Sequence, residues 1–495
     1  FLPALLVGGC GGGGAVTPSP GSGGPWLTLP AGSAYFEAAG RRAPVVMRNV
    51  SAGSADAFTP LFAAAHASGT TLVRLQLTQG LGYDTLGIDA QGRVLPDFAA
   101  AWDAVIDDAG RQQLAVIPVL AIWGDWNDGT PDYGWTHFSA NPLAQSRGGP
   151  AASPADLFAD TDTQRAWLAW ASALVARWSG RANVVAWESF SELDLATGAT
   201  AAGATAFAER AAAAIRAADP LGRPVYASTS DLPLIEGQPW TNLWASSGAD
   251  LASLHTYAAD LDAAVIARVR TVRALTDKPI FLGESGLDAG APDGTTLTTG
   301  AGASVGLGNA LWAELMSGSA TVRALYWEDG YAAYYPASGL PLVTARDDLE
   351  RPLVAFMADK EFAKLAPLGL SGRGIIGDSV GAANRVLGWA RNVDFVAPAW
   401  NAQPLADAAI DIALSAGVAD GPWSVAITLP HAGSTMTVAG AAQNGVLSFV
   451  VGASSNRVVF DAAPVSWGGA SAVRRSRGAT ASAQTSVGCQ GASGM

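Results

Sequence analysis

Short apolar runs alternate with Ala-rich stretches of helical periodicity between residues 44 and 330. This alternation is typical of βα units that build a parallel sheet. Helices are predicted at 97–109, 163–178, 202–218, 262–275 and 304–317. Eight such units over roughly 300 residues predict an α/β fold, a (β/α)8 TIM barrel with insertions. The eight predicted strands are 44–50, 71–77, 114–121, 184–192, 224–230, 250–257, 279–286 and 324–330.

The pattern changes after Pro367 to short alternating runs that are bounded by Gly and Pro. These runs predict a C-terminal antiparallel β-sandwich domain. The last residues are rich in Ala, Gly, Ser and Arg without periodicity, which predicts a disordered tail. The predicted division is an N-terminal segment (1–25), a barrel domain (26–366), the β-sandwich domain (367–463) and the tail (464–495). The predicted sandwich strands are 385–390, 409–414, 424–429, 445–451 and 456–460.

An apolar run, FLPALLVGG, opens the sequence and leads to Cys10 and a Gly-rich stretch. The run is similar to the end of a secretory signal that carries a bacterial lipobox. It predicts a bacterial protein that is secreted or held on the outer surface, with Cys10 lipidated and residues 11–24 as a flexible tether. A plain secretion signal is the alternative. Membrane contact is expected only through this anchor, because no other run is long and apolar enough to span a bilayer.

The composition narrows the range of ligands. A formal net charge of -13 and a pI near 4.7 argue against nucleic acid and anionic membrane surfaces, which select basic patches. The 17 Trp residues offer aromatic faces that suit a neutral sugar substrate, although any single Trp is more often part of the core. The two Cys residues lie at opposite ends, and the four His residues form no HExxH motif. We therefore expect no metal, and we also expect no cofactor and a monomer.

Two of the predicted strands carry a glutamate at their C-terminal end. Alternation along the first places Glu188, Phe190 and Glu192 on one face, and the second directs Glu284 inward. The carboxyl ends of barrel strands form the reaction face, and two facing carboxylates there are what glycosidic bond cleavage requires. The pattern predicts a glycoside hydrolase with Glu192 as the acid/base and Glu284 as the nucleophile. A buried ion-pair partner is the alternative for either residue, and the deeper Glu188 is interpreted as structural.

Other strand ends supply partners for these carboxylates. Arg74 shares an inward face with Leu72 and Gln76 and is predicted to bind the Glu284 carboxylate, with a salt bridge unrelated to catalysis as the alternative. His255 and Tyr257 share a face at the end of the sixth strand and are predicted to hydrogen-bond the nucleophile or a sugar hydroxyl, with polar residues of the barrel rim as the alternative. Trp327, at the end of the eighth strand, is predicted to form the platform beneath the cleaved sugar, with a place in the core as the alternative.

The insertion at 123–162, after the third strand, is rich in aromatic residues among Gly, Pro and Asp. A long βα loop of this composition predicts a substrate-facing role for Trp123 and Trp126. The alternative is a solvent-facing loop that its own aromatic side chains hold in place.

The segment at 187–192, WESFSE, resembles the acid/base strand of glycoside hydrolase clan A, and KPIFLGESG at 278–286 resembles its nucleophile strand. Together with Arg74, His255, Tyr257 and Trp327, the pattern is similar to glycoside hydrolase family 5, the cellulase and mannanase family, over about 26–367. The resemblance implies retaining hydrolysis of a β-linked polysaccharide, of β-mannan or β-glucan type, with endo action expected. The clan usually has Asn before the acid/base, where it binds the sugar 2-hydroxyl. This chain has Ser191 there.

Two other functions are kept open. Because Ser191 replaces that Asn, an inactive barrel that acts as a carbohydrate-binding surface protein is the first alternative, and the presence of both Glu192 and Glu284 argues against it. A serine esterase is the second, since GASVG at 302–306 and GDSVG at 377–381 match the nucleophile-elbow pattern. Neither match has the strand before it and the helix after it that the elbow requires.

Overall fold

The computed structural model of the chain describes residues 25–78, 81, 87–127, 137–238, 240–287, 303–326, 346–396, 404–405, 407–430, 434–451 and 455–465. The predictions for the N-terminal segment with Cys10, for Trp327 and for nearly all of the C-terminal tail lie outside these residues. The described residues from Pro25 to Pro464 belong to one compact unit. Within the described part, no helix combines the length and the apolar character that a membrane-spanning segment needs.

The first part of the chain forms a ring of eight parallel strands. A hairpin of β1 (Phe36–Ala38) and β2 (Arg41–Ala43) precedes the ring. Each ring strand pairs with its neighbours in chain order, and the last strand pairs with the first. A parallel bridge between Ser285 and Leu325 completes the ring. The ring strands are β3 (Val45–Asn49), β4 (Leu72–Gln76), β5 (Ala115–Val119), β6 (Trp187–Phe190), β7 (Val225–Thr229), β8 (Ala252–Tyr257), β9 (Ile280–Gly286) and β10 (Thr321–Val322).

Helices connect these strands, as a (β/α)8 barrel requires, and the predicted TIM barrel is confirmed. All five predicted helices are present. At two helix starts a polar side chain caps the first turn: Asp160 accepts from the backbone N of Thr163, and Thr200 accepts from that of Gly203. The helices are α1 (Ala55–Ser68), α2 (Pro96–Arg111), α3 (Asp156–Ala159), α4 (Thr161–Trp178), α5 (Ala201–Ala218), α6 (Leu232–Ile235), α7 (Thr241–Ala245), α8 (Leu261–Arg273), α9 (Ala303–Met316) and α10 (Arg346–Met357), with 3-10 turns at Trp123–Trp126, Phe138–Ala140, Gln145–Arg147, Leu193–Leu195 and Phe362–Lys364.

Two details of the predicted barrel are wrong. The register of β6 shifts between Glu188 and Phe190, so the Phe190 ring packs outward against Phe207 of α5, with ring centroids 6.3 Å apart. A bulge inserts a residue and turns the following side chain to the other face, which simple alternation cannot show. The eighth strand begins earlier than predicted, at Thr321, and the residues from 327 to 330 lie outside the described part.

The predicted C-terminal antiparallel β-domain is confirmed, and its eight strands pair in one closed circuit. The edges of the predicted sandwich are therefore joined, with β14 pairing with β11. The predicted runs did not include three of the strands, β11, β12 and β16, because these strands are rich in Gly, Ala or polar residues. The strands are β11 (Ala366–Ser371), β12 (Ile375–Ala382), β13 (Arg385–Asn392), β14 (Ala408–Ala413), β15 (Gly421–Thr428), β16 (Thr435–Gln443), β17 (Val446–Val451) and β18 (Arg457–Pro464).

The β-domain shares a hydrophobic core with the barrel. Leu387 and Trp389 of β13 are buried in the same apolar cluster as Val265 of α8 and Leu311 of α9. Strands β12 and β13 also contact α8 and α9 directly. Burial of this kind stabilises both parts together, so the β-domain is an integral part of the described structure.

Candidate active site

Glu284 lies near the end of β9, with its carboxylate surrounded by donors. Arg74 donates to Oε1 through Nη1 at 2.6 Å, and Gln76 donates to the same oxygen through Nε2 at 2.8 Å. The Tyr257 hydroxyl donates to Oε2 at 2.6 Å. His255 Nδ1 lies 3.5 Å from Oε2. Three side-chain donors thus fix the orientation of this carboxylate.

Arg74 is fully buried and joins two carboxylates. It donates to Glu188 through Nε at 2.6 Å and Nη2 at 2.9 Å, while Nη1 reaches Glu284. The same guanidinium donates to Asn49 Oδ1 at 3.0 Å and to Ser191 Oγ at 2.9 Å. Burial lowers the pKa of Arg74, but the charges of Glu188 and Glu284 outweigh it and hold that pKa well above its usual range. The predicted contact between Arg74 and Glu284 is therefore present, although its catalytic role stays a prediction.

Glu188 lies deeper in the barrel and is fully buried. Besides Arg74, it accepts hydrogen bonds from Tyr226 Oη at 3.0 Å and Ser228 Oγ at 2.7 Å. Burial works to raise the pKa of Glu188, but the Arg74 charge and these hydrogen bonds outweigh it and lower that pKa. These contacts hold the carboxylate in the interior, and the structural role of Glu188 stays a prediction.

Glu192 lies two residues after the end of β6 and has a left-handed backbone conformation, with φ 55° and ψ 54°. A non-glycine residue rarely adopts this region, and surrounding contacts must hold it there. Its backbone N donates to Ser228 Oγ at 3.1 Å. Its side chain is 12% exposed and shares a hydrogen bond of 2.9 Å with His255 Nδ1. Burial raises the pKa of Glu192, the Glu284 charge adds to the rise, and His255 opposes it.

His255 lies between the two glutamates and is fully buried. Burial lowers the pKa of His255, but the Glu284 and Glu192 carboxylates outweigh that effect and raise it. The ring requires the glycine at position 283, because a Cβ there would lie 2.8 Å from His255 Nε2. The register of β8 and β9 also shifts here, pairing His255 with Glu284.

The two glutamates are close enough to act on one bond. One carboxylate oxygen of each and one ring nitrogen of His255 lie within 4.8 Å of one another. Three such ligands also resemble a small metal site. Arg74 and Tyr257 already donate to both oxygens of Glu284, however, and a guanidinium repels a neighbouring cation. The arrangement therefore favours a catalytic carboxylate pair over a metal centre.

Three further residues that were predicted to contact substrate are buried: Ser191, Trp123 and Trp126. Ser191 is buried with its hydroxyl directed at Arg74. Trp123 is buried, and its backbone N donates to the carbonyl of Ser191 at 3.1 Å. Trp126 is fully buried and packs on Phe138 with ring centroids 5.8 Å apart, so it has no open face for a sugar and supports the loop instead.

Several contributing residues were not predicted. Gln76 binds Glu284 and accepts from Tyr326 Oη at 2.9 Å. The signal for it was present, since Gln76 follows Arg74 on the same inward face. Asn49 donates through Nδ2 to the carbonyls of Gly283, Ala324 and Leu325, each at 3.1 Å. It therefore links β9 to residues 324–325, where the ring closes. Such backbone contacts leave no sequence pattern.

The esterase alternative finds little support. Ser379 lies inside β12 and is buried, where the nucleophile elbow needs an exposed turn between a strand and a helix. Ser304 lies in the first turn of α9, and the residues before that helix are outside the described part.

Comparison with known proteins supports the fold. No protein-family model matches the sequence, and a search of curated proteins finds no match either. A solved glycoside hydrolase structure is similar with a TM-score of 0.58 at 12% identity, covering 90% of this chain and 98% of that one. A glycoside hydrolase of family 5 from Bacteroides vulgatus has a TM-score of 0.57 at 12% identity, covering 89% and 95%. The predicted resemblance is thus confirmed at the level of the fold, and its extent includes the β-domain.

Proposed function

We propose that the protein is a retaining glycoside hydrolase that cleaves β-linked polysaccharide by a two-glutamate double displacement. The observation that carries the proposal is the approach of Glu192 and Glu284 to within 4.8 Å. Retaining enzymes hold the two carboxyl groups about 5 to 5.5 Å apart, whereas inverting enzymes leave about 6.5 to 9.5 Å for a water molecule. Two glycoside hydrolases among the structures of similar fold support the same reaction class.

The surroundings of the two glutamates support a different role for each. Glu284, with donors on both oxygens, attacks the anomeric carbon and forms a covalent glycosyl ester. Glu192, whose pKa burial raises, gives its proton to the glycosidic oxygen as that bond breaks. In the second step Glu192 takes a proton from water, the water oxygen attacks the anomeric carbon, and the bond to Glu284 breaks. Both steps balance without a cofactor.

The substrate class rests on the resemblance of WESFSE and KPIFLGESG to the strands of family 5. It favours β-mannan or β-glucan with endo action. Such polymers lie outside the cell, so we propose that the protein is secreted or anchored through Cys10. Membrane fractionation of the native protein and of Cys10→Ser tests the anchor: loss of membrane association in the variant supports lipidation, and equal partitioning contradicts it.

Hydrolysis of soluble β-glucans, mannans, xylans and galactans tests the reaction. Glu192→Gln and Glu284→Gln remove each carboxylate with little change of shape, and Glu209→Gln is the matched control because Glu209 is exposed on α5. We expect hydrolysis of one polymer, lost in both site variants and kept in the control. NMR of the first-formed product should show the β-anomer. An α-anomer would contradict retention.

Azide separates the two roles, because a small anion can replace a missing carboxylate. With an activated aryl β-glycoside, Glu284→Ala should yield an α-glycosyl azide and Glu192→Ala a β-glycosyl azide. Exchanged products would reverse the assignment. Binding of a polymer without hydrolysis by the unaltered protein would favour a carbohydrate-binding barrel.

A further inference from the structure

The β-domain contacts the barrel partly at the level of the reaction face. In a (β/α)8 barrel, the helix after each strand begins at the carboxyl end of that strand, where the chemistry takes place. Two arginines of the β-domain reach such helix starts. Arg391 pairs with Asp260 and Asp262 at the start of α8. Arg457 donates to the carbonyl of Val305 at 3.1 Å and to Asn309 Oδ1 at 2.6 Å in α9.

The Arg391 contacts form a fixed fork. Its side chain is fully buried, and it donates to one oxygen of Asp262 through Nε and to the other through Nη2 at 3.0 Å. Nη2 also pairs with Asp260. Nη1 donates to the carbonyls of Asn392 at 3.0 Å and Val393 at 3.2 Å, both in the β-domain. A planar guanidinium held on both sides in this way fixes direction as well as distance.

The clamped aspartates follow Tyr257 closely in the chain. Tyr257 ends β8 and donates to Glu284 Oε2 at 2.6 Å. The next residue, Ala258, donates from its backbone N to the carbonyl of Gly286 at 3.2 Å. The segment from Tyr257 to Asp262 is thus held by β9 at one end and by Arg391 at the other.

We infer that Arg391 is a positioning residue for the nucleophile, acting through the segment 257–262 and the Tyr257 hydroxyl. This inference rests on the proposed function for its kinetic consequence. Without the fork, the start of α8 is free to shift and Tyr257 leaves its place beside Glu284. The chemical step slows, whereas contacts with the substrate remain. The β-domain therefore contributes to catalysis through geometry.

Arg391→Met tests the inference against a control at the other end of the same interface. Arg270 of α8 pairs with Asp378 of β12 at 2.8 Å, so Arg270→Met also removes an ion pair between α8 and the β-domain, but far along the helix from Tyr257. At a temperature where circular dichroism shows all variants folded, we expect Arg391→Met to lower kcat about 10- to 100-fold with KM little changed. Arg270→Met should keep kcat. Arg391→Lys, which retains the charge without the fork, should lie between, and it replaces the Met variant if that one does not fold.

A double variant separates positioning from general destabilisation. If Arg391 acts through Tyr257, then Arg391→Met together with Tyr257→Phe should be no slower than Tyr257→Phe alone. Losses that multiply, or an unchanged kcat in Arg391→Met, would overturn the inference.

Amide hydrogen exchange gives a readout that needs no activity. Arg391→Met should speed exchange across residues 257–262, and Arg270→Met should not. Equal exchange in the two variants would also overturn the inference. If Glu192→Gln and Glu284→Gln show that the protein is not this hydrolase, the exchange result still decides whether Arg391 holds the segment.

Discussion

Arg74 and Glu284 form an ion pair of 2.6 Å in which the arginine side chain is fully buried and the glutamate side chain is 5% exposed. The same guanidinium is paired with Glu188 on its inner side. One buried cation therefore serves two anions, of which one faces the cleft and the other the interior. The inner carboxylate fixes the direction of the guanidinium, and the guanidinium fixes the outer carboxylate.

Arg74→Met should destabilise the protein strongly, because it leaves Glu188 charged and buried without its cation. Breaking a buried ion pair on one side costs about 3 to 5 kcal/mol of unfolding free energy. Arg74→Met combined with Glu188→Gln should recover part of that loss, since the uncompensated charge is gone. Hydrolysis should stay at least about 100-fold below that of the unaltered protein in both variants, because Glu284 still lacks its guanidinium.

Urea unfolding and kcat on the same samples check this prediction. A double variant no more stable than Arg74→Met would show that the charge of Glu188 is not the source of the loss. Full activity in the double variant would remove Arg74 from the catalytic arrangement.

Tyr257→Phe should lower kcat about 10- to 100-fold, because a hydrogen bond to a charged group contributes about 1.5 to 3 kcal/mol. The hydroxyl donates directly to Glu284 at 2.6 Å. Tyr326→Phe is the matched control, since the Tyr326 hydroxyl donates to Gln76 and reaches Glu284 through that residue. Steady-state kinetics of both variants check the prediction, and an equal loss in the two would contradict a direct role for Tyr257.

The barrel was predictable because its signals are local. Each strand of the ring is a short apolar run followed by a helix with its own periodicity, as in β8 and α8. The closure of the β-domain was not predictable from the runs, because pairing of β14 with β11 depends on contacts distant in sequence. The fork between Arg391 and Asp262 spans 129 residues and leaves no local pattern.

The placement of Glu192, Glu284 and Arg74 followed from strand ends and alternation, and the structure brings all three together. Alternation failed at Phe190, where a bulge turns the ring outward. For Trp126 the sequence left two interpretations open, a residue at the cleft or one that holds the loop after β5 in place, and the structure buries its side chain. Bulges and loop packing depend on tertiary contacts, whereas the period of a strand does not.

The pKa of Glu192 should fall in Glu284→Gln. Burial raises the pKa of Glu192 in the unaltered protein, and the negative charge of Glu284 raises it further. Removing that charge leaves the effect of burial but takes away the repulsion, so the shift is downward. Infrared or carbon-13 NMR titration of the Glu192 carboxyl in both proteins measures it. The Glu209→Gln variant should leave this pKa unchanged, and a rise in Glu284→Gln would contradict the coupling.

The same pKa sets the alkaline side of the activity profile. A general acid works only while protonated, so hydrolysis should decline as pH rises through the raised pKa of Glu192. Glu192→Gln with an aryl glycoside whose leaving group needs no proton should lose this decline while keeping the first step. A profile that keeps its alkaline limb in that variant would assign the limb to another group.

Glu314 of α9 should make the stability of the protein depend on pH near neutrality. It is fully buried, accepts hydrogen bonds from Ser285 Oγ at 2.7 Å and from the backbone N of Ala324 at 3.2 Å, and burial raises its pKa from 4.5 to about 7. A carboxyl whose folded pKa is raised contributes stability that is fully present below the unfolded value and is lost as pH rises through the folded value. The free energy of unfolding should therefore fall between pH 4.5 and about 7 more steeply in the unaltered protein than in Glu314→Gln. Urea unfolding of both proteins across this range measures the difference, and parallel curves would show that Glu314 keeps one protonation state throughout.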